Sequence, residues 1–96
     1  MAEREINRDI VFAQLRNLVD PLFLSKEMLE HAGKYFPFKE IQSKAQQGQV
    51  TRNAVSEFVV NFAQVLRQEV KASGRTVIES SDIDNAFNKV KTSCPF

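Results

Sequence analysis

The chain has 96 residues and a net charge of +1, with 43% apolar and 26% charged residues, which is one ordinary globular domain by size and composition. That balance removes global basicity as an argument for nucleic acid, although charges segregated on one face could still meet phosphates. Three glycines, three prolines and a single cysteine leave little room for the turns of a β-sandwich and none for an intrachain disulfide.

The first helical pattern runs from Glu3 to Val19. Ile6, Ile10 and Ala13 fall on one stripe, and Val11, Leu15, Leu18 and Leu22 on a neighbouring one, so the expected helix is apolar over a wide arc. Arg4 and Arg8 lie one turn apart, Arg16 lies two turns beyond Arg8, and Glu5 and Asp9 interleave with them. They read either as a solvated face with ion pairs or as a phosphate-contacting stripe. Pro21 ends or redirects the helix. Ser25 then suits the N-cap of a second short helix that carries Met28, Leu29 and Ala32 inward, and Gly33 suits its stop. His31 has no second ligand at metal spacing and reads as a surface or packed histidine.

Pro37 opens a third segment with Phe38, Ile41 and Ala45 on one face, broken at Gly48 inside a glutamine-rich loop. Thr51 caps the strongest helix. Val55, Phe58, Val59, Phe62, Ala63, Leu66 and Val70 form one sustained apolar face. At about 1.5 Å per residue, roughly 23 residues span about 35 Å. Such a face is expected to need a partner, because two short neighbours are too small to cover it. Ser73-Gly74 ends it, and Thr76, Val77 and Ile78 make a brief extended run. Ser80 or Ser81 then caps a last helix whose apolar face is Ile83, Ala86, Phe87 and Val90.

Short helix, polar loop, long helix, extended loop, short helix resembles the histone fold. Val50-Thr51-Arg52-Asn53-Ala54 is similar to the V-[S/T]-x-x-A that opens the long helix of archaeal histones. Gly74-Arg75-Thr76-Val77-Ile78, followed by Asp82-Ile83, is similar to their second loop and last-helix start. Pro37-Phe38, Ile41 and Ala45 fall in register with the family's first helix, so the resemblance covers residues 37–93.

The resemblance implies an all-α chain, with a histone fold over 37–96 and an N-terminal helical extension over 1–36. It implies a dimer with itself or another histone-fold chain through Val55, Phe58, Val59, Phe62, Leu66, Val70 and Phe87. It also implies an internal Arg75–Asp82 pair that clamps the second loop, and parallel pairing of the loops between chains. Double-stranded DNA would lie on Lys39, Lys44, Arg52, Arg75 and Thr76, with Arg4 and Arg8 adding from the extension. Glu40, Ser43, Gln49, Thr76 and Val77 stand where the family carries basic residues or its loop threonine, which thins the phosphate contacts.

The expected function is therefore sequence-nonspecific DNA binding as a dimer. The alternative is a histone-fold scaffold subunit that heterodimerises with little DNA contact. A third reading, an isolated helical module resembling the C-terminal lid of AAA+ ATPases, rests on the same glycine-arginine, β-branched, acidic-helix-start ending. No P-loop G-x-x-x-x-G-K-[S/T] occurs, so any such role would act in trans. No enzyme, cofactor, metal or small-molecule substrate is expected, because no acid–base pair sits by a plausible nucleophile. Cys94 stands near the end of the chain and far in sequence from His31. No stretch reaches the roughly 18 apolar residues of a membrane span and no secretory leader pattern opens the chain, so an intracellular setting, cytoplasm, nucleoid or nucleus, is expected.

Overall fold

The computed structural model describes residues 6–96, and the expectations for Arg4 and Glu5 lie outside them. The described chain is all-α. Five helices follow one another: α1 (Arg8–Val19), α2 (Lys26–Gly33), α3 (Phe38–Gln46), α4 (Arg52–Ala72) and α5 (Ser80–Val90), with a short 3-10 turn over Lys91–Ser93. The only β pairing among the described residues is one parallel bridge between Phe23 and Val77.

Local chemistry sets the helix ends. Asn7, Ser25 and Thr51 each place a side-chain oxygen on an N–H of the first turn, at Asp9, Met28 and Ala54. The last helix begins differently from expectation. Its N-cap is Glu79, not Ser80 or Ser81, and Glu79 and Asp82 form a reciprocal capping box. Asp82, three residues on, accepts from the Glu79 N–H at 2.8 Å, which sets the cap one residue before Ser80. Gly48 and Gly74 adopt φ of +77° and +70°, the left-handed conformation that closes α3 and α4 at low steric cost.

Gly33 has another role. It lies within α2, and a Cβ there would come within 2.8 Å of the Phe12 ring, so this glycine serves close packing of α1 on α2.

α1 runs beside α4 in the same direction. Gln14 donates to Ser56 Oγ near the start of α4, and Phe23, just past α1, meets Val77, just past α4. The inward face of α1 is Val11, Leu15 and Val19. Ile10 and Ala13, expected on a buried stripe, are exposed, Ile10 at 46%. One face is enough to seat α1 on α4, and of the second stripe only Ile6, ahead of the helix, is buried. α2 lies against α5.

The expectation of an uncovered long helix is corrected here. Val55, Phe58, Val59, Phe62, Leu66 and Val70 are all buried within one chain, and Phe87 is half-buried. Residues 6–36 complete a cover that α5 and the C-terminal Phe96 begin. Phe36, 2% exposed, stands with its ring centroid 6.0 Å from Phe58 and 6.2 Å from Phe62. Tyr35 stacks on Phe87 at 4.1 Å. The apolar core spans both sides of residue 36. Ile6, Leu15, Val19, Leu24 and Phe36 share one apolar cluster with Ile41, Leu66, Ile78 and Ile83, so the core crosses that boundary. A face that sequence periodicity assigns to a partner is satisfied in cis, because the extension carries its own apolar residues to the same place.

Candidate functional site

The site is built where α4 ends. Gly74 N–H and Arg75 N–H return to the carbonyls of Lys71 and Val70, which finishes the helix. The chain then runs extended through Thr76, Val77 and Ile78. Phe23 N–H donates to the Thr76 carbonyl at 2.8 Å, and Ile78 N–H donates to the Phe23 carbonyl at 3.0 Å. Side chains alternate across this two-segment ladder as in any strand. Leu22, Leu24 and Ile78 point into the core, while Phe23 at 61% and Val77 at 47% exposure point out. Those two are neighbours, and they form a small apolar face at this end of the molecule.

Arg75 and Asp82 lock the loop. Arg75 Nη1 and Nη2 donate to the two carboxylate oxygens of Asp82 at 2.9 and 2.6 Å, and Nη1 also reaches the Val77 carbonyl at 3.1 Å. Asp82 further accepts from the Glu79 N–H at 2.8 Å. The Arg75 hydrogen bonds hold the Asp82 carboxyl below the usual carboxylate range, with the Glu79 N–H acting the same way against burial. The guanidinium is raised in turn, chiefly by its bonds to Asp82. Asp82 is the one buried charged residue among those described.

A second polar cluster joins α2 to α5. Asp84 Oδ1 accepts from Tyr35 Oη at 2.5 Å and lies 2.8 Å from His31 Nε2. Tyr35, and then His31, lower the Asp84 carboxyl, while the same bond raises the Tyr35 hydroxyl. His31 therefore has a structural contact.

The expected phosphate-contacting residues do not gather within one chain. Lys39 and Lys44 lie on α3, and Arg52 opens α4. Arg75 and Thr76 lie beyond the other end of α4, whose 21 residues span about 31 Å. Arg75 is spent on Asp82 and Val77, and the Thr76 carbonyl on Phe23. Arg8 stands over the Phe12 ring at 5.1 Å, near the start of α1. Sequence reading missed Phe23. The signal was Pro21 followed by the short continuous apolar run Leu22-Phe23-Leu24, too short for a helix and bounded by Ser25.

No family model, curated protein or solved structure matches the chain. No helix among the described residues is long and apolar enough to cross a membrane.

Proposed function

We propose that this chain is a protein-binding module of histone-like helical architecture, with little direct DNA contact. One observation carries the choice over DNA binding. The cation at the centre of the implied phosphate surface, Arg75, has both terminal nitrogens on Asp82, and Glu40, Ser43, Gln49 and Thr76 stand where the resembled family carries basic residues. Nonspecific DNA affinity rests on several phosphate contacts made together, so a thinned and partly engaged set of cations supplies little of it. The exposed Phe23 and Val77 favour an apolar contact at the same end. An intracellular setting, in cytoplasm, nucleoid or nucleus, fits a chain whose one cysteine is free.

The test is an electrophoretic mobility shift on a random-sequence duplex of about 30 base pairs at about 50 mM salt. This reading expects no shift at micromolar protein. A shift that steepens as salt falls would return the reading to DNA.

The lid-like module is a second reading, favoured by the closure of the core within one chain. It expects a monomer by light scattering, where a paired histone fold expects twice that mass.

A further inference from the structure

The Phe23–Val77 ladder has two outer edges, and they differ. Peptide groups are planar and trans, so the groups on either side of a bridged residue point in opposite directions. Thr76 C=O and Ile78 N–H both face Phe23. The Val77 N–H and C=O must therefore face away from Phe23, on the outer edge. The same geometry turns the Leu24 N–H outward on the opposite edge. That opposite edge is covered. Leu24 is 3% exposed, and the Arg16 side chain crosses it to donate to the Leu24 carbonyl at 3.1 Å.

The Val77 edge is open. Val77 is 47% exposed, Thr76 is exposed, and the Val77 N–H makes no hydrogen bond among the described residues. Its carbonyl takes Arg75 from one side, and a carbonyl has two lone pairs. An unpaired donor and a half-used acceptor on one residue are what an incoming extended backbone pairs with.

We propose that the Val77 edge receives an extended segment of a partner protein, which adds as a third strand and rests an apolar side chain on Phe23 and Val77. The backbone groups at Val77 specify an extended occupant, because a helix has already satisfied its own interior N–H and C=O groups. The size of the patch argues against a second copy. Two partly exposed side chains fall well short of the roughly 800 Å² per partner of a stable dimer. This inference rests on the protein-binding reading and names the chemistry of its partner.

The test uses the full chain and two immobilised octapeptide libraries. In one, Val, Ile, Leu or Phe alternates with Thr or Ser. In the other, the same residues recur at helical spacing. Selected peptides are then titrated in solution while backbone amide resonances are followed. The proposal expects binders from the alternating library and a downfield shift of the Val77 amide proton. Phe23→Ser should weaken binding at least tenfold, and Val77→Pro, which removes the outward donor together with the valine side chain, should abolish it. Should Val77→Pro fail to fold, N-methylation of the peptide residue whose N–H meets the Val77 carbonyl removes the reciprocal bond from the ligand side and should weaken binding at least tenfold.

Binders from the helical library alone, no binders at all, or shifts that leave Val77 untouched would overturn it. So would a Val77 shift that depends on protein concentration without peptide, which marks a second copy. Binding of a helical peptide would spare the protein-binding reading while ending this one, whereas a DNA mobility shift at about 50 mM salt would strike the reading itself.

Discussion

The two ends of α4 were built for different work. At its start, the loop from Gln47 to Val50 is closed by Gly48 and the Thr51 cap, and its glutamines and nearby Lys39 stand in solvent. At its end, three devices act on seven residues: the Phe23 ladder, the bidentate Arg75–Asp82 pair and the Glu79–Asp82 capping box. In histones, the resemblance implies that such a loop finds its parallel neighbour on another chain. Here residues 20–25 bring an extended segment to the same height, because α1 runs alongside α4 and ends beside it. The pairing is thus completed in cis, and the cation nearest the loop becomes a structural part.

The largest effect is expected where the extension meets the long helix. Phe36→Ala should cost about 3–5 kcal/mol, read from urea unfolding, because Phe36 is 2% exposed and fills the space beside Phe58 and Phe62. A cost below 1 kcal/mol would mean that α4 does not depend on the extension.

Next comes the contrast between the two ends. Asp82→Ala should cost about 2–3 kcal/mol, since it removes the pair with Arg75 and an acceptor for the Glu79 N–H together. Thr51→Ala at the other end removes one cap bond to Ala54 and should cost about 1 kcal/mol. Equal losses would erase the distinction between the ends.

Smaller still is the pH response. Asp82 and Asp84 have lowered carboxyl values in the fold, so they stabilise it above the unfolded value near about pH 4 and lose that contribution as pH falls through the folded value. Tyr35 is raised, so its contribution is complete below about pH 10 and is lost as pH climbs through the folded value. The urea midpoint should be flat from about pH 5 to pH 9 and fall on both sides. Asp84→Asn should shrink both falls, whereas an unchanged profile would remove the α2–α5 cluster from the account. The smallest effect belongs to the exposed Lys39, where Lys39→Ala should stay within about 0.5 kcal/mol.

Helix positions were legible because their signals are local. Ser25, Thr51, Gly48 and Gly74 punctuate the chain, and the spacing from Val55 to Val70 reads as one apolar face. The Arg75–Asp82 pair was an implication of the histone resemblance, and the two side chains meet in the structure. What covers the α4 face was not legible. An apolar stripe states that it is buried and not by what, so Phe36 beside Phe62 is a tertiary fact about residues 26 apart. Ile10 was misassigned because two adjacent stripes on α1 both satisfy the helical period, and only the position of α4 selects between them. Phe23 was hidden because a continuous apolar run of three residues does not show which of them faces out, and only its pairing with Val77 decides that.

The central claim is that one chain closes its own core and its own loop ladder. An isotope-filtered nuclear Overhauser measurement on an equal mixture of 13C-labelled and unlabelled protein tests it most directly. The account predicts Phe36–Phe62 and Phe23–Val77 contacts within labelled chains and none between labelled and unlabelled ones. Cross-chain contacts at either pair would show that the core and ladder are shared between two chains, and would contradict it.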